Sequence, residues 1–168
     1  LIINILAGGP EELLPDLKVF NDDECIWVGV DRGVFTLLSI GLMPFASFGD
    51  FDSVTEEEWQ EIQSKVTQLE KFIPEKDETD TELALNWAVS KKPKLIRLFG
   101  ATGGRIDHFL ANIQLLLKHM PTQDGCEIHL IDNKNIVFIK GPGSHRISEL
   151  LGKKYISFVP ATMDVAGL

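Results

Sequence analysis

The chain is 168 residues long with 44% apolar side chains, enough to bury a core as one domain, or as one domain and part of another. Sixteen basic against 25 acidic residues leave a net charge of -9, which argues against the non-specific nucleic-acid binding that cationic surfaces drive and means that any phosphate chemistry here needs a metal ion. No apolar run reaches the ~20 residues of a membrane span, and Leu1 to Leu6 is too short and too uncharged upstream for a signal peptide, so a soluble cytoplasmic protein is expected, with no nucleic-acid or membrane partner.

Taken in chain order, five short apolar runs in the first hundred residues predict buried strands: Leu1 to Leu6, Ile26 to Val30, Phe45 to Phe48, part of Val66 to Ile73, and Leu95 to Phe99. Helical patterns lie between them. Val34, Leu37 and Leu38 predict a short helix that Gly41 terminates. Thr55 with Glu58 forms a capping box ahead of Trp59, Ile62 and Val66, and Thr79 with Glu82 forms another ahead of Leu83, Trp87 and Val89. The longest helix is predicted from about Arg105 to His119, burying Ile106, Phe109, Leu110, Ile113, Leu116 and Leu117. Strands alternating with helices at this spacing give an α/β fold class, a parallel sheet with helices on both faces.

The texture changes after Met120. Pro121 to Gly125 reads as a linker, and EIHLID, NIVFIK and YISFVP follow as short strands separated by turn signals with no helix between them. An antiparallel β-unit over 123–168 is therefore expected after an α/β unit over 1–122. It is incomplete, because the sequence stops at DVAGL in the middle of a further strand entry, and a continuation beyond Leu168 is expected. Cys25 and Cys126 lack CxxC spacing and are read as core thiols. The three tryptophans, Trp27, Trp59 and Trp87, are read as packing residues, and His119, His129 and His145 as histidines without clustered partners.

Each predicted parallel strand is followed by a glycine- or aspartate-bearing loop: AGGP at Ala7 to Pro10, DRG at Asp31 to Gly33, GDFDS at Gly49 to Ser53, PEKDETD at Pro74 to Asp80, and GATGGRIDH at Gly100 to His108. In a parallel sheet these loops open on one edge, where ligands of open α/β sheets bind. The last suits an anion, because its glycines free backbone N–H groups, a helix begins at its end, and Arg105 adds a guanidinium. The competing reading is a plain glycine turn in which Arg105 pairs with Asp107. Neither GxxxxGK[ST] nor GxGxxG occurs, so no common nucleotide fingerprint applies. Asp50, Asp52, Asp77 and Asp80 would gather acids that repel unless a hard cation such as Mg²⁺ sits among them. Asp80 also suits the first turn of a helix, Asp77 a solvated loop, and His108 a base, a nucleotide contact or a cap.

The ordered set ILAGGP, GVDRG, FGDFDSV, EKDETDTELAL and GATGGRIDH resembles the thiamine pyrophosphokinases of the bacterial type, over essentially the whole chain. The resemblance implies a catalytic α/β domain followed by a β-sandwich domain, a homodimer, and Mg²⁺-dependent transfer of pyrophosphate from ATP to the hydroxyl of thiamine, leaving AMP. It implies that Asp50, Asp52 and Asp80 hold the metal and form the catalytic group; a carboxylate such as Asp52 or Asp80 is a candidate to take the hydroxyl proton, and the sequence does not select it. It places Asp31, Asp77, Thr79, Thr102, Gly103, Gly104, Arg105 and Asp107 along the ATP site, and makes Lys76 and His108 possible contacts to substrate or phosphate. The family continues past Leu168 into a serine-bearing segment that helps receive thiamine. Two rivals remain on the residues alone. DFDSV also fits the DxDx[TV] strand-end motif of haloacid dehalogenase phosphatases, where the first aspartate is a nucleophile, and the same crevice would serve a non-catalytic nucleotide-binding regulator.

Overall fold

The computed structural model describes residues 1–51, 55–65, 78–120, 125–148, 152–161 and 166. Six strands form one sheet: β1 (Ile2–Leu6), β2 (Cys25–Val30), β3 (Pro44–Phe48), β4 (Leu95–Phe99), β5 (Glu127–Ile131) and β6 (Ile136–Val137), in the order β3-β2-β1-β4-β5-β6. The first five are parallel, and β6 lies antiparallel on β5. Pro44, which has no N–H to give a ladder, stands on β3 at the edge of this sheet, where proline is tolerated.

The helices are α1 (Arg32–Ser39), α2 (Glu56–Lys65), α3 (Asp80–Ser90) and α4 (Ile106–Lys118). Successive strand residues point to opposite faces, so Ile3, Ile5, Val28, Leu98 and Leu130 pack with Leu85 and Ala88 of α3 and with Leu115 and Leu116 of α4. On the other face Leu6, Trp27, Phe99 and Ile131 pack with Leu37 of α1 and with Leu17 of a 3-10 turn. Burial on both faces is why these strands read as unbroken apolar runs. Each fully buried Ile or Leu there contributes about 1.5–3 kcal/mol over leaving it exposed.

Local signals explain where the helices start and stop. Thr55 and Glu58 make both bonds of the box ahead of α2: the Glu58 amide donates to Thr55 Oγ1 at 3.3 Å, and the Thr55 amide donates to Glu58 Oε2 at 2.9 Å. At α3 the Glu82 amide donates to Thr79 Oγ1 at 3.2 Å, but the Glu82 carboxylate turns to Lys118 Nζ at 2.8 Å. Gly41, at φ +82, follows α1 as expected.

Several expectations are corrected. Glu127–Ile131 does not open an antiparallel unit but extends the parallel sheet beside β4, so the α/β unit runs past residue 122. The reason is α4, which carries the chain back to the start of the sheet so that Ile128 and Leu130 complete the core beneath it. Of NIVFIK only Ile136 and Val137 pair, and 152–161 contain no strand among the described residues, where Tyr155 is 90% exposed. A strand needs a ladder partner, and the described residues offer none there, so they do not bear out the expected all-β sandwich. The expected strand within Val66 to Ile73 lies outside the described residues. Along α4, Ile106 and Leu110 are exposed and Leu115 is buried instead, since the face toward the sheet is the one carrying Asn112, Leu115 and Leu116. His119, His129 and His145 each make one hydrogen bond, to Asn86 Oδ1 at 2.9 Å, Glu127 Oε2 at 3.1 Å and Gly141 O at 2.8 Å. Trp27 is buried as expected, while Trp59 and Trp87 are half-buried and packed. Cys25 and Cys126 are free and half-buried.

Candidate active site

The strand order turns in opposite directions from β1: β2 and β3 lie on one side, β4 and β5 on the other. A crevice at the carboxyl ends of β1 and β4 follows from that reversal. Its walls are the AGGP and GATGGR loops, joined where the Gly9 amide donates to Gly100 O at 2.8 Å. The approach is so close that a Cβ on Gly9 would stand 2.2 Å from Gly100 O, and one on Gly33 would stand 2.1 Å from Leu6 O. Only glycine fits at either position.

Three aspartates meet beside this crevice. One carboxylate oxygen from each of Asp31, Asp50 and Asp80 lies within 4.8 Å of the other two. Asp31 follows β2 and occupies the N-cap position of α1 with φ 48°; its side chain makes no cap bond, and one of its carboxylate oxygens lies in the cluster. Its amide donates to Phe48 O at 2.9 Å and ties the end of β2 to the end of β3. Asp50 follows Gly49, whose φ of +132 turns the chain off β3. Phe51, at φ 60°, buries its ring against Trp59 with centroids 5.0 Å apart, so the residue after Asp50 anchors the loop. Asp80 is the first residue of α3, capped by Thr79. An all-oxygen trio at this spacing suits a hard divalent cation, whose opposite ligands stand about 4.2 Å apart at Mg–O lengths of about 2.1 Å.

Of the residues expected in the site, the structure therefore brings Asp31, Asp50 and Asp80 together, so that Asp31, expected along the ATP site, joins the acids. Asp52, Asp77 and Lys76 lie outside the described residues. Thr102 is buried at the end of β4, and Gly103 and Gly104 follow at φ +75 and +62. Arg105 and Asp107 pair with each other, Nη2 to Oδ2 at 2.6 Å and Nε to Oδ1 at 3.1 Å, the alternative that the sequence left open. That pairing holds the Asp107 carboxyl down at about 2. His108 is exposed in the first turn of α4.

Other residues that hold the site were not singled out. Asn112 Nδ2 donates to Ala101 O at 3.0 Å and fixes the glycine loop to α4. Arg32 of the DRG loop pairs with Glu58 at 3.0 Å, binding the start of α1 to the start of α2. The sequence offered a signal only for Arg32, which sits inside a strand-end motif; Asn112 looks like any polar residue on a helix.

A family model described as "Thiamin pyrophosphokinase, catalytic domain" matches residues 17–130. The chain is 48% identical over 163 residues to the thiamine pyrophosphokinase of Bacillus subtilis (strain 168), covering 97% of this chain and 75% of that protein. A crystal structure of thiamine pyrophosphokinase from Bacillus subtilis superposes with a TM-score of 0.75 at 48% identity, over 80% of this chain and 62% of that one. One from Geobacillus thermodenitrificans gives a TM-score of 0.78 at 47% identity, over 85% and 65%. This chain thus spans just under two thirds of the two solved chains. The Candida albicans thiamin pyrophosphokinase shares the fold at 18% identity, with a TM-score of 0.63.

Proposed function

The chain belongs to the thiamin pyrophosphokinase family, and on that premise we propose that it transfers the pyrophosphoryl group of ATP to the hydroxyl of thiamine, forming thiamine diphosphate and AMP. The observation that carries the reading is the trio of Asp31, Asp50 and Asp80 at the strand ends, next to a glycine loop that opens a helix. Such a crevice matches a polyphosphate bound with a divalent ion.

The residues present fit Mg²⁺, and Asp50, Asp80 and Asp31 would hold it, with Asp52 expected beside them. When bound, the ion supplies positive charge against the phosphate oxygens. The backbone N–H groups around Gly103 and Gly104 and the N-terminus of α4 bind a phosphate by their partial positive charge. Arg105, half-turned toward solvent in its pair with Asp107, is free to exchange that carboxylate for a phosphate oxygen. Attack by the thiamine hydroxyl forms the new bond to the β-phosphorus and breaks the bond from that phosphorus to the oxygen shared with the α-phosphate. AMP leaves with that oxygen, and the hydroxyl proton passes to a carboxylate of the acid cluster. Positioning and electrostatics carry most of such a phosphoryl transfer.

We also propose a homodimer in the cytoplasm. In support, Ile106 and Leu110 leave an apolar strip on α4 that a second copy would cover, and among the described residues no helix is long and apolar enough to cross a membrane. Light scattering on the full-length chain reads the assembly directly, and a monomer at micromolar concentration would remove the dimer. For the reaction, the chain is incubated with ATP, Mg²⁺ and thiamine. Equal amounts of AMP and thiamine diphosphate are expected; free phosphate would mark a phosphatase, and no product a non-catalytic binder. Asp50→Asn should lower turnover and the Mg²⁺ response together, and normal activity in that variant removes Asp50 from the metal role.

A further inference from the structure

The turn after β5 reads Asp132, Asn133, Lys134, Asn135, and composition marks it only as a turn. In the fold it opens on the same sheet edge as the acid cluster and the glycine loop. Asp132 is buried, and its Oδ1 accepts from the Lys134 amide at 2.7 Å and the Asn135 amide at 2.6 Å. Asn135 Nδ2 donates to both of its oxygens at 3.1 Å. Burial pushes the Asp132 carboxyl upward, but the bonds it accepts from the Asn135 side chain and from the Lys134 and Asn135 amides outweigh it and hold the group below the usual range. Thr102 is buried within the glycine loop, just before Gly103 and Gly104.

Asn133 reaches the opposite way. Its amide donates to Leu13 O at 2.8 Å, and its Nδ2 donates to Glu12 O at 2.8 Å. Both acceptors belong to the 3-10 turn Glu11–Leu13 that directly follows AGGP. Leu13 in turn presses on the glycine loop: its Cδ1 stands 2.3 Å from where a Cβ on Gly103 would sit, with Pro10 Cγ 3.5 Å away. The middle of the Thr102–Gly104 segment is therefore backed by Leu13, which the Asp132 turn holds in place through Asn133.

The geometry points to Asp132 and Asn133 as positioning residues that clamp the AGGP turn and the glycine loop together, holding the backbone N–H groups ready for the nucleotide phosphates. The inference rests on the ATP site proposed above and deepens it. Glycine loses more backbone freedom on ordering than any other residue, so a loop with Gly100, Gly103 and Gly104 is costly to fix. With the clamp made, folding meets that cost. Without it, nucleotide binding must, and affinity falls by the fraction of chains that are loop-ordered.

The test uses Asn133→Ala, Asp132→Ala and Asp132→Asn in the full-length chain. Asparagine keeps an oxygen for the Lys134 and Asn135 amides, so Asp132→Asn should act as the rescue. The two alanine variants should raise the calorimetric Kd and the KM for MgATP about tenfold, equivalent to about 1.4 kcal/mol and the scale of one net hydrogen bond. Thiamine KM and kcat should stay within about twofold, and Asp132→Asn should stay near wild type. If both alanine variants bind MgATP as wild type does, the clamp is overturned even where Tm falls, since the turn is then only structural. Equal losses in kcat and in both KM values overturn it as well. Should Asp132→Ala fail to fold, Asn133→Ala decides the matter, because its backbone bond to Leu13 O remains. Calorimetry reads nucleotide binding without turnover. A wild-type chain that binds MgATP but forms no AMP therefore refutes the reaction and not the clamp, whereas one that does not bind MgATP overturns both.

Discussion

Gly49→Ala is the sharpest perturbation of the carboxylate trio. A Cβ at that position would stand 2.0 Å from Asp31 Oδ1 and 2.9 Å from its Cγ, about 1.4 Å inside the 3.4 Å at which ordinary contact begins. Asp31 cannot yield through its backbone, because its amide is bonded to Phe48 O and its φ of 48° already lies in the left-handed region. The carboxylate must swing away, and the trio loses one oxygen. The φ of +132 at Gly49 adds a backbone penalty of about 1–3 kcal/mol for any residue with a side chain. At roughly 2 kcal/mol, Tm should drop by about 4–8 °C for a domain of this size. Activity should fall further than stability, since a misplacement of about 1 Å at a reacting centre costs on the order of 100-fold. The assay is AMP formation against Mg²⁺ concentration, run beside a thermal melt, for Gly49→Ala, Asp31→Ala and the double variant. With Oδ1 removed, adding the alanine should cost only the backbone part, and the metal response, already weakened, should barely change. An unaltered Mg²⁺ half-saturation in Gly49→Ala, or strictly additive losses in the double variant, would refute the reasoning.

Three further outcomes are expected. Thr79→Ala removes the acceptor for the Glu82 amide at the start of α3 and should destabilise the chain by about 1 kcal/mol in chemical denaturation, with Thr79→Ser close to wild type. The Asp107 carboxyl, held at about 2 by Arg105, should titrate there by NMR in the free chain and move up when MgATP is added, as the guanidinium turns to phosphate; no movement would take Arg105 out of the phosphate site. Burial first, and Lys118 second, lower the pKa of His119 below its ordinary value. The unfolded chain therefore binds that proton first, so the His119 contribution to stability is present above the unfolded pKa and is lost as pH falls through the folded one. Denaturation midpoints should decline over that interval, and His119→Gln should flatten the decline.

Pattern along the chain was enough to place β1 to β4 and the four helices in order, but not the pairing after Met120. Strand lengths, the complete capping box at Thr55 and Glu58, and the run of polar motifs after apolar segments are local matters, set by periodicity and by short-range hydrogen bonds. Their convergence followed from one topological rule, that parallel strands end on the same edge. Which residues meet there was a tertiary decision. Asp31 joins Asp50 and Asp80 because Gly49 leaves room for its carboxylate, a contact across two strands that no spacing encodes. The strand at Glu127 looked antiparallel from its neighbours in sequence, but its direction depends on α4 carrying the chain back beneath the sheet, and that is settled by packing. The same return brings Asn133 to Glu12 and Leu13, so a residue that reads as part of an ordinary turn is bonded to the segment that follows AGGP. Local chemistry names the parts; only the closing of loops far apart in sequence, driven by burial of the two faces of one sheet, decides which of them touch.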